Sequence, residues 1–143
     1  MKAIQINSYG GVEVLQVNSA MLSPVVGEDQ VLVEVEAVSI NPFDYKLREG
    51  YVKAYIQLDF PAIIGGDFSG KVINIGKNVN NFFVGDAVYG QGAVYAGGTG
   101  AFAEELVASA GKIAKKPQNA DFLEAAALPL AGVSAVQALE THI

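Results

Sequence analysis

The sequence contains no cysteine, and its single histidine, His142, lies next to the carboxyl end. Without cysteine the chain can form neither a disulfide framework nor a thiolate metal site, and it has no cysteine nucleophile. A catalytic zinc site needs three protein ligands, usually from histidine, cysteine and carboxylate side chains. These absences are typical of a reducing compartment, and they predict a protein without bound metal.

Positive charge is also scarce. Nine Lys and Arg residues stand against 15 Asp and Glu residues, which gives a formal net charge of -6, and the basic residues form no run. Recognition of a phosphate backbone needs clustered positive charge, so nucleic acid is excluded as a partner.

Long hydrophobic runs are missing as well. The longest uncharged segment, residues 87–103, contains five glycines, and the apolar segment 125–139 is interrupted by Pro129. Neither segment predicts a membrane-spanning helix, which needs about 20 apolar residues. Residues 1–6 alternate like a strand and lack the apolar core of a signal peptide. The sequence therefore predicts a cytoplasmic protein that does not enter a membrane.

Short alternating runs separated by glycine, asparagine and proline fill residues 1–109, a pattern typical of an antiparallel barrel or sandwich. The clearest predicted strand covers Gln30–Val38, in which the valines share one face and Leu32 shares the other with two glutamates. Further strands are predicted at residues 67–75, 87–90, 102–107 and 112–115. One helix interrupts them, beginning at Pro42 and ending at Gly50.

The composition changes after Pro117. Asp121 is followed three positions later by Glu124, which predicts a capping box at the start of a helix over residues 122–128. Pro129 is expected to begin a second helix over residues 130–140.

Four motifs follow one another along the chain: Asn-Pro-Phe-Asp-Tyr-Lys at 41–46, Gly-Gly-Asp-Phe-Ser-Gly at 65–70, Val-Gly-Asp-Ala-Val at 84–88 and Ala-Ala-Ala-Leu-Pro-Leu-Ala-Gly-Val-Ser at 125–134. In this order they resemble the medium-chain dehydrogenase/reductase superfamily, specifically its zinc-free quinone and enone reductases. The resemblance implies a mainly β fold, a GroES-like, partly open β-barrel with a short inserted helix over residues 1–118. Linker helices over residues 119–143 would follow.

The resemblance also implies a nucleotide-binding Rossmann domain that this chain does not supply. Its 143 residues suffice for one buried core but not for both domains. No Gly-x-Gly-x-x-Gly turn follows a predicted strand. That domain is expected to begin near Ile143, so the sequence is expected to be a truncated form or a natural fragment of a longer gene product.

The positions that hold zinc ligands in other members of the superfamily correspond here to Asn41, Gly66, Asp67 and Leu130. Asp67 alone would not bind zinc. The resemblance therefore implies an NADPH-dependent oxidoreductase that reduces quinones or α,β-unsaturated carbonyl compounds by direct hydride transfer.

The resemblance assigns cofactor contacts to Asn41, Pro42 and Ser134. In related reductases the corresponding asparagine lies beside the nicotinamide, and a Ser or Thr at the Ser134 position hydrogen-bonds the nicotinamide amide. Each residue also has an ordinary structural interpretation. Asn41 can serve as the N-cap of the helix, and Ser134 can make a small-residue helix contact.

Asn41, Tyr45 and Lys46 are the candidate catalytic residues, because a hydroxyl or an ammonium can stabilise negative charge that develops on a substrate oxygen. Asp44, Tyr51 and Asp67 are expected to line the substrate cleft. The alternatives are an interfacial aromatic for the tyrosines and a solvated helix-face lysine for Lys46.

Two functions of other classes stay open at this point. One is a co-chaperonin-like binding module that assembles into rings, since a fold does not determine a function. The other is a catalytically silent structural or regulatory protein. As a reductase, the parent protein is expected to act on a small-molecule quinone or enone and to form a homo-oligomer.

Overall fold

The computed structural model describes residues 1–142 as two antiparallel sheets with one helix between the third and fourth strands and two helices after the last strand. The strands are β1 (Ala3–Ile6), β2 (Leu15–Asn18), β3 (Gln30–Val38), β4 (Ala62–Ile63), β5 (Asp67–Ile75), β6 (Ala87–Gln91), β7 (Glu105–Ser109) and β8 (Ile113–Lys115). The helices are α1 (Pro42–Arg48), α2 (Phe122–Ala126) and α3 (Pro129–His142). Short 3-10 turns cover Val12–Val14, Val94–Ala96 and Ala110–Lys112.

The strands form a small sheet in the order β2-β1-β4 and a larger one in the order β7-β3-β5-β6-β8, and every neighbouring pair is antiparallel. An isolated bridge pairs Ala3 of β1 with Ala103, two residues before β7, and the backbone of Glu104 also bonds to Lys2 and to Val35 of β3. Each sheet keeps two edge strands, so over residues 1–142 they do not close into a complete barrel. The predicted mainly β, partly open architecture is confirmed.

Strand β3 lies between β7 and β5 in the larger sheet, and its buried valines are part of the core. Val31 and Val33 are fully buried while Glu34 is exposed, as predicted. The expected exposure of Leu32 is wrong, because this residue is only 8 % exposed. The register shift opposite Leu32 and Val33 places its extra residue, Ile73, on β5, so the alternation of β3 itself is intact. Residues 23–28 lie on the Leu32 side of β3 and line a cavity together with Leu32.

Helix α1 is held against a second core cluster that includes Ile6, Leu47 and Ile64. Arg48 at the last turn is also buried, and its Nε donates to the carbonyl of Gly10 at 3.2 Å. Because one face of α1 is packed and its last turn is hydrogen-bonded, the position of its first turn is also fixed.

The predicted helix over residues 122–128 ends two residues early, at Ala126. Leu128 precedes Pro129, and a residue before proline is disfavoured in the helical region. The predicted capping box is confirmed, since Glu124 N–H donates to Asp121 at 2.8 Å and Asp121 N–H donates to Glu124 at 2.9 Å. Helix α3 then begins at Pro129, one residue before the predicted start.

None of the helices within residues 1–142 has the length and apolar character needed to cross a lipid bilayer. Much of the apolar surface of α3 is nevertheless open, because Val133, Val136 and Leu139 are all more than half exposed.

Replacing Gly70 by alanine is expected to destabilise the fold severely. A Cβ atom there would lie 2.1 Å from the backbone oxygen of Glu34 on the paired strand, and backbone in a sheet centre cannot yield. We expect a loss of about 3 kcal/mol in the free energy of unfolding. Gly132→Ala is the matched control, because its Cβ would meet nothing closer than 3.9 Å and alanine favours helix by about 0.5–1 kcal/mol. Urea denaturation of both variants measures the difference, and equal stabilities would contradict the packing described.

Candidate functional site

The start of α1 carries the first part of the candidate site. Asn41 occupies the N-cap position with extended backbone angles, and Pro42 follows as the first helical residue. The Asp44 carboxylate accepts the Asn41 backbone N–H at 2.7 Å. The Asn41 side-chain nitrogen points away from the helix and donates to Asp67 at 3.1 Å and to the Ser39 hydroxyl at 3.3 Å. The amide thus joins α1 to the first residue of β5.

Asp67 is fully buried and accepts hydrogen bonds from four donors on three separate segments. One carboxylate oxygen accepts the Asn41 amide at 3.1 Å, the Ser39 hydroxyl at 3.3 Å and the backbone N–H of Leu130 at 2.9 Å. The other oxygen accepts from the side-chain nitrogen of Gln91. We call these five residues the Asp67 network.

The bond from Leu130 places the Asp67 carboxylate at the amino-terminal end of α3. The first backbone N–H groups of a helix have no partner within the helix, and the helix dipole favours negative charge at that end. Asp67 therefore satisfies a free donor of α3 and ties this helix to the sheet.

The same contacts bear on metal binding. A carboxylate offers about four lone-pair directions, and Asp67 uses them for four donors. Asn41, Gly66 and Leu130 at the other ligand positions present an amide nitrogen, no side chain and a hydrocarbon. No three His, Cys, Asp or Glu side chains gather around a possible metal position in the part of the chain that the structure describes. The side chain of His142 lies outside that part.

Asp44 and Asp67 are two acidic side chains of this site whose pKa values are both raised. Burial raises the pKa of Asp44, the Asn41 and Gly66 N–H groups oppose that rise, and the charge of Asp67 adds to it. Burial likewise raises the pKa of Asp67, against the lowering effect of its donors from Leu130, Asn41 and Ser39. Both carboxyl groups therefore hold a proton to higher pH than an exposed aspartate does.

Tyr45 borders a cavity of about 680 Å³ between α1 and the small sheet. Asp44 and Arg48 supply polar groups to this Tyr45 cavity. Most of its other walls are apolar and come from β1, β2, β3 and the segment before α1: Ile4, Leu15, Val17, Val38 and Ile40. Tyr45 itself is 42 % exposed.

Lys46, Pro42 and Tyr51 lie apart from that cavity. Lys46 and Pro42 are both exposed and share a face of α1, since residues four apart lie one above the other. One step along a helix turns a side chain by about 100°, so Lys46 projects in a different direction from Tyr45. Tyr51 is 69 % exposed beyond the helix, and the Glu49 carboxylate raises its pKa through hydrogen bonding and charge.

Ser134 lies on α3 and lines a separate cavity of about 450 Å³. The walls of this Ser134 cavity include Tyr89, Gln91, Leu130 and Val133. Gln91 and Leu130 also belong to the Asp67 network, so the Ser134 cavity is joined to Asn41 through two shared residues.

Sequence reasoning did not select Gln91 and Tyr95, which lie in the glycine-rich segment 87–103. Tyr95 packs edge-on against Phe43 of α1 with 5.3 Å between ring centroids. Burial raises the pKa of its hydroxyl, and the charges of Asp44 and Asp67 raise it further. Tyr95 also lines a cavity of about 850 Å³ to which none of the predicted site residues contributes. No local pattern distinguishes Tyr95, because the same segment also contains Tyr89 and Phe102.

Asp67→Ala is expected to lower the free energy of unfolding by about 3 kcal/mol, because four partly buried donors lose their acceptor. Asp67→Asn should cost less, since its oxygen can still serve the three donors that share one oxygen and Gln91 can turn its amide. Thermal or urea unfolding measures both, with Asp59→Asn at an exposed position as the control. Equal losses in the alanine and asparagine variants would contradict this account of the Asp67 network.

The wild-type chain and Asp67→Asn are also expected to differ in how their stability depends on pH. A carboxyl group whose pKa is higher in the folded state binds its proton more tightly there, so stability falls as pH rises from its ordinary value near 3.8 through the raised folded value. Asp67→Asn lacks this titration. As pH rises above about 4, the wild-type chain should lose stability relative to Asp67→Asn until the Asp67 carboxyl group is fully ionised. A difference that stays constant with pH would show that Asp67 does not titrate abnormally.

The chain is similar over nearly its whole length to several reductases. It is 39% identical over 140 residues to the "Chloroplast envelope quinone oxidoreductase homolog" of Arabidopsis thaliana, covering 97% of this chain and 42% of the relative. It is 39% identical over 135 residues to the "NADPH-dependent alkenal/one oxidoreductase, chloroplastic" of the same plant, covering 92% and 35%. The quinone oxidoreductase from Coxiella burnetii superposes with a TM-score of 0.87 at 39% identity, covering 98% of this chain and 44% of that one.

The matches extend over about two-fifths of the length of these relatives. The sequence pattern of the alcohol dehydrogenase GroES-like domain matches residues 27–118, which hold strands β3 to β8 and helix α1. This chain belongs to the alcohol dehydrogenase GroES-like domain family, among relatives that are quinone oxidoreductases and enone reductases.

Proposed function

We propose that this chain is the catalytic domain of an NADPH-dependent reductase of quinones or α,β-unsaturated carbonyl compounds that works without zinc. The observation that carries the proposal is the Asp67 network. Of the four positions where relatives of other branches bind zinc, Asp67 accepts four hydrogen bonds, Asn41 donates one of them, Gly66 has no side chain and Leu130 has a hydrocarbon side chain. The names of the relatives supply the substrate and cofactor classes.

The residues present fit the nicotinamide end of such a cofactor. Ser134 exposes a hydroxyl to the Ser134 cavity, and the Gln91 amide lines the same wall. Asn41 and Pro42 lie at the start of α1, one hydrogen bond from Asp67. When bound, NADPH supplies the hydride; in our proposal Ser134, Asn41 and Pro42 position its nicotinamide. The remaining contacts would come from a nucleotide-binding domain outside residues 1–143.

In this proposal the side chains of α1 also stabilise the negative charge that develops on the substrate. Reduction of an enone moves an electron pair onto the carbonyl oxygen, and that negative charge needs nearby donors. Tyr45 and Lys46 are exposed donors on α1. Asp44 precedes Tyr45 on the same helix, and burial raises the pKa of its carboxyl group.

Asp67 and Tyr51 complete the proposed cleft in different ways. Asp67 is fully buried, so in this proposal it acts by orienting Asn41 and Gln91 rather than by touching the substrate. Tyr51 is exposed after α1 and would stand at the entrance.

The organisation of the parent protein is part of the proposal. Residues 1–118 would form the catalytic domain, and residues 119–143 would form the linker helices towards the cofactor domain. A homo-oligomer is supported by the open apolar side chains of α3. The cytoplasm is the proposed compartment, in keeping with a cysteine-free chain, although the two Arabidopsis relatives carry the chloroplast in their names. Cell fractionation distinguishes these compartments.

The function is tested on the full-length gene product that contains this chain. We expect NADPH-dependent reduction of 1,4-naphthoquinone or 2-cyclohexen-1-one, followed by the loss of NADPH absorbance, to survive extended dialysis against a chelator. The control is a zinc alcohol dehydrogenase treated in the same way. Activity that disappears on chelation and returns with added zinc would sink the zinc-free part of the proposal.

Lys46→Met tests the contribution of the ammonium group, since methionine keeps much of the length and the apolar stem. If Lys46 stabilises the developing negative charge, kcat and kcat/KM should fall together by about 10- to 1000-fold. The control is Lys77→Met, which removes an exposed lysine that pairs only with Glu28 among the described residues. Activity within about twofold of wild type would instead make Lys46 a solvated surface residue. Loss of activity in Tyr45→Phe would then assign the role to that hydroxyl.

A further inference from the structure

Gln91 is the last residue of β6, and its side-chain amide is held in one orientation. The strand register places Gln91 directly opposite Asp67 of β5, so the two side chains lie on the same face of the sheet. The Gln91 side-chain nitrogen donates to the Asp67 carboxylate. Turning the amide over would bring its oxygen, which can only accept a hydrogen bond, against a carboxylate oxygen. Asp67 therefore determines which end of the Gln91 amide points away from it.

The oxygen of the Gln91 amide is accessible and has no partner within residues 1–142. Among these residues every fully buried side-chain nitrogen or oxygen has a hydrogen-bond partner. Gln91 is half-buried, and its oxygen accepts no hydrogen bond from the described residues, so solvent must reach this oxygen. Gln91 lines the Ser134 cavity of about 450 Å³. The amide therefore offers this cavity an acceptor whose direction is fixed by Asp67.

Helix α3 supplies a hydrogen-bond donor to the same cavity. Ser134 lies four residues after Leu130, one helical turn further along the same side of α3, and it is exposed. The backbone N–H of Leu130 donates to Asp67 at 2.9 Å. The Asp67 carboxylate thus holds both walls of the cavity, Gln91 through its side chain and Ser134 through the start of its helix.

We propose that Gln91 and Ser134 together bind the carboxamide group of the nicotinamide. The Ser134 hydroxyl donates to the carboxamide oxygen, and the Gln91 oxygen accepts an N–H of the carboxamide. The inference rests on the proposed function, which places the nicotinamide beside Ser134, and it adds Gln91 as a cofactor-binding residue that sequence reasoning did not select.

The hydrogen-bonding groups of a carboxamide match this pair of side chains. A carboxamide carries an acceptor and a donor on one planar group, whereas Gln91 offers an acceptor and Ser134 a donor. Two hydrogen bonds to one planar group also fix its direction more firmly than one does. A carboxylate in its place would have no N–H for Gln91, so the site should reject the nicotinic acid form of the cofactor.

The first test compares two cofactors by calorimetry on the full-length gene product. In the acetylpyridine analogue of NADPH a methyl ketone replaces the carboxamide, so the oxygen for Ser134 stays and the N–H for Gln91 is lost. We expect Gln91→Leu to raise the Kd of NADPH about tenfold and the Kd of the analogue by less than about twofold. Gln57→Leu at an exposed position is the matched control and should change neither. An equal rise for both cofactors in Gln91→Leu would overturn the inference.

Ser134→Ala tests the other half of the pair without touching Asp67. Ser134 is exposed on α3 and alanine favours helix, so the variant should fold. Both cofactors keep the oxygen that Ser134 would bind, and we therefore expect the Kd of NADPH and of the acetylpyridine analogue to rise by the same factor, about fivefold. A rise confined to NADPH would show that Ser134 binds the N–H instead, which contradicts the proposed arrangement.

Nicotinamide binding to the 143-residue chain is a measurement that needs no variant. With millimolar nicotinamide we expect NMR shifts of the Gln91 side-chain amide and of the Ser134 backbone amide. The same concentration of 3-acetylpyridine should shift Ser134 and leave Gln91 nearly unchanged. Absence of a shift at Gln91 with nicotinamide would remove the site itself.

The reaction is assayed separately from these affinities. A gene product that reduces neither quinone nor enone but shows the expected difference between the two cofactors would sink the proposed reaction and leave the carboxamide site standing. A gene product that reduces them and loses affinity for both cofactors equally in Gln91→Leu would leave the reaction standing and remove the role of Gln91.

Discussion

The buried carboxylate of Asp67 is the interaction on which the rest of the structure depends. A charge without solvent is costly unless donors surround it, and Asp67 draws those donors from the segment before α1, from β6 and from the first turn of α3. Each donor group is thereby fixed relative to β5. The position of α1, the wall that carries Gln91 and the start of α3 all follow from one satisfied side chain.

Local patterns predicted the elements that are determined locally. Alternation predicted Gln30–Val38, the proline and glycine around α1 predicted its length, and the spacing of Asp121 and Glu124 predicted the start of α2. Strand β2 was missed because its residues are mostly exposed on both faces and leave no alternating pattern. The two residues of β4 are too few for any period to be read.

The candidate site was only partly accessible to sequence reasoning. Residues 41–46 and 65–70 could be selected as motifs, but the bond between Asn41 and Asp67 spans 26 positions and exists only through the sheet. Gln91 and Tyr95 carry no local signal of their role, since their surroundings are created by β5, β6 and α1 coming together. Side-chain direction and burial depend on tertiary packing, which no local pattern records.

The bond from Leu130 to Asp67 has a mechanical consequence. Helix α3 has 14 residues, which at about 1.5 Å per residue gives a length of about 21 Å. Its hydrogen bond to Asp67 is made near its first turn. A tilt of about 5° at that bond would move the far end by about 2 Å, enough to misplace reacting atoms whose alignment is sensitive to about 1 Å. The hydrogen bond between the Asp67 carboxylate and the Leu130 N–H therefore determines the direction of α3 and the positions of its side chains.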